Sequence, residues 1–159
     1  MCLGEHSAVR RVYNQSMPDF RFYYPLEVRY GDLDPQGHLN NAKYLTFIEQ
    51  ARLQYIKHLG LWDGSSFFNI GVILADVHLT FRSPIHLGQP VRVGVRVSRL
   101  GNKSLNMEYR LEDASNGQEL AGGSSVSVAY DYHNSKTIPL PEHWRKVITD
   151  FESLANEEP

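Results

Sequence analysis

Hydrophobic and polar positions first alternate with a period of two. Phe22, Tyr24, Leu26, Val28 and Tyr30 take turns with Tyr23, Pro25, Glu27 and Arg29, which predicts a strand over 22–30 with one buried face. Pro25 has no N–H for a ladder, so the strand belongs at an edge or starts late. From Asn41 to Leu59 the period lengthens. Tyr44, Phe47, Ile48, Ala51, Tyr55 and Leu59 recur at three- and four-residue spacing, the apolar stripe of a helix. Such a helix is roughly 28 Å long, enough to cross a sheet. Asn40 or Asn41 supplies its N-cap, and Gly60 stands where a C′ glycine belongs, with Lys57 and His58 in the last turn.

The period then returns to two. Ile73, Ala75, Val77, Leu79 and Phe81 form one face of a second strand. Val91, Val93, Val95 and Val97 form that of a third, and Leu105, Met107, Tyr109 and Leu111 that of a fourth. Leu100 to Lys103 makes a tight connection, and Asn116-Gly117 signals a hairpin before a last strand over 119–132. Pro139 and Pro141 precede a short helix over 142–154. Tight turns make the last three strands an antiparallel meander. One apolar sheet face and one apolar helix stripe need each other, so the fold class is α+β, a sheet wrapped around the long helix. The expected organisation is an N-terminal leader over 1–18, one domain over 19–135 and a C-terminal helical extension over 136–159.

Composition adds exclusions. The 159 residues carry 16 Lys and Arg against 18 Asp and Glu, so no excess of positive charge argues for nucleic acid or acidic membranes. The single cysteine, Cys2, rules out an internal disulfide framework and a multi-cysteine metal site. It fits a reducing compartment, and no apolar run approaches a membrane span or the core of a signal peptide. Cytoplasm is the expected location.

Candidate chemistry concentrates between the first strand and the long helix. Asp32, Asp34, His38, Asn40 and Asn41 lie within ten residues. Pro35 steers Asp34 away from helical dihedrals, and Gly37 permits a tight bend or a close approach. The helix start offers unpaired backbone N–H groups and the positive end of a dipole. A carboxylate beside such donors suits acyl-group hydrolysis, which needs a base or nucleophile and a site for the developing oxyanion.

The segment Arg29–Arg52, RYGDLDPQGHLNNAKYLTFIEQAR, resembles the signature of hotdog-fold thioesterases of the 4-hydroxybenzoyl-CoA thioesterase type. It is also similar to the catalytic segment of plant acyl-ACP thioesterases. The D-x-D-x-x-G-H-x-N-N-x-x-Y string carries the resemblance, and the element order extends it over roughly 22–132. The resemblance implies a hotdog fold and hydrolysis of an acyl-CoA or acyl-ACP. Asp34 would be the catalytic carboxylate, attacking the thioester or activating water. His38 would orient substrate or leaving group, and the N–H near Asn41 would polarise the carbonyl, with Gly37, Asn40 and Tyr44 around the substrate. Gln36 stands where the plant enzymes use asparagine, so that role is not carried over. The resemblance further implies a homodimer, or a homotetramer built from it, with the site between protomers and the acyl chain in an apolar tunnel. It implies no metal or redox cofactor.

Plainer readings stand beside these. Asp34 can be a turn residue and Asp32 a structural hydrogen-bond acceptor. Asp32, Asp34 and His38 supply metal-type donors without a further ligand near in sequence. His58, His78 and His86 read as surface or strand residues. Glu49 and Arg52 suit a surface or interface pair, although Glu49 could be a base as in hotdog hydratases and dehydratases, the rival enzymatic reading. A non-catalytic acyl-CoA-binding protein is the other rival. Arg82 and Ser83, with Arg99 and Lys103, are cationic or polar candidates for the phosphates of coenzyme A. No glycine-rich phosphate loop and no G-x-S-x-G elbow are present, which argues against a serine hydrolase route.

Overall fold

The computed structural model of the chain describes residues 19–154. The expected leader, residues 1–18, lies outside the described residues, as does the end of the C-terminal extension.

Strand β1 covers Phe22–Leu26 and is followed by a single 3-10 turn at Tyr30–Asp32. Helix α1 spans Asn41–His58. Strands β2 (Val72–Phe81), β3 (Val91–Leu100), β4 (Ser104–Asp113) and β5 (Glu119–Asp131) follow. A two-residue strand β6 (Lys136–Thr137) and helix α2 (Glu142–Glu152) complete the chain. The sheet order is β1-β3-β4-β5-β2, antiparallel throughout, with β6 beside β5. The meander β3-β4-β5 is as the turn signals indicate, and α1 lies against one face of the curled sheet.

The core follows the two periodicities. Tyr44, Phe47, Ile48, Ala51 and Tyr55 of α1 are buried with Val91, Val93, Val95 and Val97 of β3 and Leu105, Met107, Tyr109 and Leu111 of β4. Ile56 joins them, whereas Leu59 is only partly buried.

Three expectations change. The first strand ends at Leu26 rather than Tyr30, because its partner among the described residues begins at Val91, opposite Leu26, and Pro90 before it has no N–H to continue the ladder. Val28 still turns inward, but Tyr30 is 84% exposed. In β2 a bulge between Leu74 and Asp76 shifts the alternation. Leu74 then faces the same side as Val77 and Leu79, opposite the buried Ser127 and Ser125, and Ile73 moves to the other face. Finally, α2 does not stand apart from the domain: Trp144 and Ile148 enter the same core, and Glu152 accepts hydrogen bonds from Tyr55 Oη (2.6 Å) and from Val97 N (3.0 Å).

The two ends of α1 are built differently. Asn40 is the N-cap, its Oδ1 accepting from Ala42 N at 3.0 Å, and its carbonyl accepts from Lys43 N. At the other end Gly60 takes φ +68°, Gly60 N donates to Lys57 O and Leu61 N donates to Ile56 O. That double closure is a Schellman motif, and Ile56 and Leu61 at its two ends are both buried in the core cluster. No helix of the described residues is long and apolar enough to cross a membrane.

Candidate active site

The turn entering α1 is fixed by its own backbone. Asp34 N donates to His38 O (2.8 Å) and Gly37 N to Asp34 O (3.0 Å). Gly37 sits at φ +77° with open space where a Cβ would stand, so glycine is required there by conformation and not by crowding. Asn40 N donates to Asp32 O and Leu39 N to Ile85 O, which tie the turn to the 3-10 segment and to the loop after β2.

The two aspartates have separate jobs. The Asp32 side chain is 2% exposed and accepts from Arg29 N (3.0 Å), Arg29 Nε (3.1 Å) and an Arg29 terminal amine (3.3 Å). Lys43 Nζ, on the first turn of α1, stands 3.6 Å away. Burial by itself would raise the Asp32 pKa, but the hydrogen bonds from Arg29 and the charges of Arg29 and Lys43 together hold it below the ordinary value. Asp32 is thus the structural acceptor of the turn, clamping the strand end to the helix start. Asp34 is half-buried, and its Oδ1 accepts from Gln36 N (2.9 Å) and His38 N (3.1 Å). Its Oδ2 accepts no hydrogen bond among the described residues.

Asp34 opens onto a cleft of about 250 Å³ lined by His38, Leu39, Asn41, Tyr44 and Phe81, with Arg82, Ser83 and Pro84 closing it. Leu39, Phe81 and the ring of Tyr44 make the apolar wall, the last two edge to face at 4.8 Å. Burial, and then the nearby charge of Asp34, raise the Tyr44 pKa, so its phenol stays protonated. Asn41 supplies the first N–H of α1. Ala42 N is taken by the Asn40 side chain and Lys43 N by the Asn40 carbonyl, whereas Asn41 N has no hydrogen-bond partner among the described residues. The cleft is therefore lined by a carboxylate fixed by two backbone amides and by the first residue of α1, the two kinds of group that acyl hydrolysis uses.

Of the candidates from sequence, Asp34, His38, Asn41, Tyr44, Arg82 and Ser83 meet in this cleft, while Gly37 and Asn40 do not line it and act in the turn and the helix cap. Glu49 is exposed on α1 and does not line it, and no ion pair joins Glu49 to Arg52 among the described residues. Arg99 and Lys103 lie by the β3-β4 turn, away from the cleft: through the register Arg99 is level with Asp76 and Ser104 with Ile73 of β2, while Arg82 follows Phe81, roughly 20–25 Å away along the strand. Asp32, Asp34 and His38 do not converge on a metal position. No group of three or more His, Cys, Asp or Glu side chains able to hold a metal occurs among the described residues.

Sequence reasoning missed two neighbours of the site. His86 pairs with His38 across an isolated bridge, their rings edge to face at 5.0 Å. Phe81 supplies half of the aromatic wall. Both come from the far end of β2 and the loop behind it, which the Leu39 to Ile85 hydrogen bond and the His38–His86 bridge bring to the turn. No local signal could have found them.

Comparison with known proteins places the fold and the family. The crystal structure of a Thermus thermophilus thioesterase complexed with coenzyme A and Zn superposes with a TM-score of 0.75 at 34% identity, over 86% of this chain and 98% of that one. The long-chain acyl-CoA thioesterase FadM of Escherichia coli is 25% identical over 123 residues, 77% of this chain and 93% of that protein. The 1,4-dihydroxy-2-naphthoyl-CoA hydrolase of Thermosynechococcus vestitus is 26% identical over 129 residues, 80% of this chain and 82% of the relative. The fold is the hotdog fold of these thioesterases. The family model described as the thioesterase-like superfamily matches residues 28–148, and the chain belongs to that family.

Proposed function

We propose that this chain hydrolyses acyl-CoA thioesters, with Asp34 as general base, the Asn41 N–H as oxyanion donor and His38 orienting the leaving thiol. One observation carries the proposal. A carboxylate oriented by two backbone amides and a helix-terminal N–H without a partner line the same cleft. Asp34 takes a proton from a water whose oxygen attacks the thioester carbon. The carbonyl electron pair moves onto oxygen, facing Asn41 N and the positive end of α1; one such donor contributes about 3 kcal/mol to the transition state. Collapse breaks the C–S bond, and the departing thiolate takes the proton back from Asp34, leaving a carboxylic acid and free CoA. Water, a carboxylate and an N–H suffice for this route, which uses no metal or redox cofactor. The acyl chain would lie against Leu39, Tyr44 and Phe81, with Arg82 and Ser83 toward the phosphates of the carrier. The names of the relatives favour CoA over a carrier protein, which presents the same thioester arm.

The test is thiol release from a panel of acyl-CoAs, short, long and aromatic, by wild type and Asp34→Asn. A fall of two orders of magnitude or more in kcat, in a variant that stays folded, is expected. Equal rates in the two proteins would sink the role of Asp34. Loss on Glu49→Gln with Asp34→Asn tolerated would favour the hydratase reading, and saturable CoA binding without turnover a binding protein.

We also propose that the active form is at least a homodimer. Strand β2 is a ten-residue sheet edge carrying exposed Ile73, Leu74 and Phe81, with exposed Leu45 on α1. Natural edges of this length and apolarity are covered. A monomer in sedimentation equilibrium at assay concentration would refute it. Cytoplasmic location belongs to the same proposal, resting on the single Cys2; activity found only in a secreted fraction would overturn it.

A further inference from the structure

Glu112 of β4 and Glu119 of β5 are paired directly across the outer face of the sheet. Two carboxylates in that relation repel. They are tolerated because guanidinium groups interleave with them. Arg92 Nε donates to Glu112 at 2.6 Å and its guanidinium lies 4.3 Å above the Tyr23 ring. Arg110 Nε stands 3.0 Å from Glu112 and 4.0 Å from Glu119. Arg82 Nε donates to Glu119 at 2.6 Å. Three cations and two anions thus form a row from β3 across β4 and β5 to the residue after β2, with its positive excess ending at the rim of the Asp34 cleft, where Arg82 is a lining residue. Gly122 makes room for the last link: a Cβ there would stand 2.7 Å from Glu119 Oε1.

We infer that Glu119 is a positioning residue that orients the Arg82 guanidinium toward the phosphates of a CoA thioester entering the cleft. The inference rests on the proposed role of Arg82 as a phosphate contact. An arginine stem has several rotatable bonds, and phosphate recognition through a planar fork depends on where the plane points. With Nε held by Glu119, that plane is set by β5. The same contact raises selectivity for phosphorylated carriers, because a correctly aimed guanidinium serves the nucleotide end and not the thiol arm. Arg82→Lys keeps the charge and loses the fork.

Calorimetric binding of CoA and of pantetheine, which has the thiol arm without phosphates, tests this without requiring turnover. Wild type is expected to prefer CoA. Glu119→Gln weakens CoA binding roughly tenfold, the scale of one charge-assisted hydrogen bond, and leaves pantetheine binding unchanged. Gly122→Ala, which displaces the end of a flexible Glu119 side chain at little cost to the fold, gives the same signature. Arg82→Gln weakens CoA at least as much, and adding Glu119→Gln to it weakens CoA no further. If Arg82→Gln behaves so while Glu119→Gln and Gly122→Ala bind CoA like wild type, the positioning role fails and the phosphate contact stands. If wild type does not distinguish the two ligands, or Arg82→Gln has no effect, both fail. Equal weakening of CoA and pantetheine by Glu119→Gln marks a merely structural residue and also overturns the inference.

Discussion

The two ends of α1 obey the same rule of orphan backbone groups and meet it in opposite ways. At the C-terminal end several devices are used: Gly60 at φ +68°, two closing hydrogen bonds, burial of both Ile56 and Leu61, and Tyr55 tied to α2 through Glu152. At the N-terminal end one cap residue serves Ala42 and Lys43, but Asn41 N, on a residue that lines the cleft with Asp34, has no partner among the described residues. One end finishes the fold; the other stops short of finishing it, and that open donor is the one proposed above to receive the carbonyl oxygen. A helix closed at both ends would be more stable and have nothing to offer a carbonyl oxygen.

Asp32 is the sharpest way to break that contrast, because it clamps the open end in place. Asp32→Ala removes the acceptor of Arg29 and Lys43 and releases the turn that aims Asp34. Stability is expected to fall by about 2 kcal/mol, as for loss of a buried charged acceptor, and kcat by tenfold or more. Urea titration and thiol release read the two losses. The pH dependence has a defined sign. The folded-state pKa of Asp32 is depressed, so its contribution is present above the unfolded value, about 4, and is lost as pH falls through the lower folded value. Asp32→Asn should therefore flatten the acid limb of stability against pH. An unchanged acid limb would show that Asp32 is not the group whose protonation weakens the turn.

Tyr55→Phe probes the closed end. The Tyr55 hydroxyl donates to Glu152, and burial, then the hydrogen bond and charge of Glu152, push its pKa far up, so it is a donor at every working pH. Its loss leaves Glu152 with Val97 N as its remaining partner and costs about 1–2 kcal/mol. No change in kcat is expected, since Tyr55 does not line the Asp34 cleft. A fall in kcat at full folding would mean the two ends are coupled and the contrast is misdrawn.

These variants also mark how far the sequence could be read. Helix α1 was legible because its stripe, its cap and Gly60 are local features. So was the meeting of Asp34, His38 and Asn41, which one turn brings together. What depends on partners in the sheet was not. The end of β1 at Leu26 is decided by Val91, and the face of Leu74 by a bulge that leaves Ala75 unpaired. Strand β6 pairs only two residues and carries no period at all. Arg82, Arg99 and Lys103 look equivalent along the chain, yet register puts the first at the cleft and the others by the β3-β4 turn. Likewise His86 reaches His38, and Glu119 reaches Arg82, only through pairings between distant strands and loops.

The smallest and cleanest test places one strain at both ends. Gly37 (φ +77°) and Gly60 (φ +68°) both occupy the left-handed region, and both have open space where a Cβ would stand. Alanine at either site meets no neighbour, so its cost is conformational alone, about 1 kcal/mol. Gly60→Ala strains the Schellman closure, and urea unfolding should register that loss with kcat unchanged. Gly37→Ala strains the bend that sets Asp34 against His38 N, so the same loss of stability should come with a several-fold fall in kcat. The matched strain matters more than either number: equal destabilisation with unequal activity assigns function to the open end. If neither variant loses activity, the bend at Gly37 does not aim Asp34, and the contrast between the two ends is one of stability only.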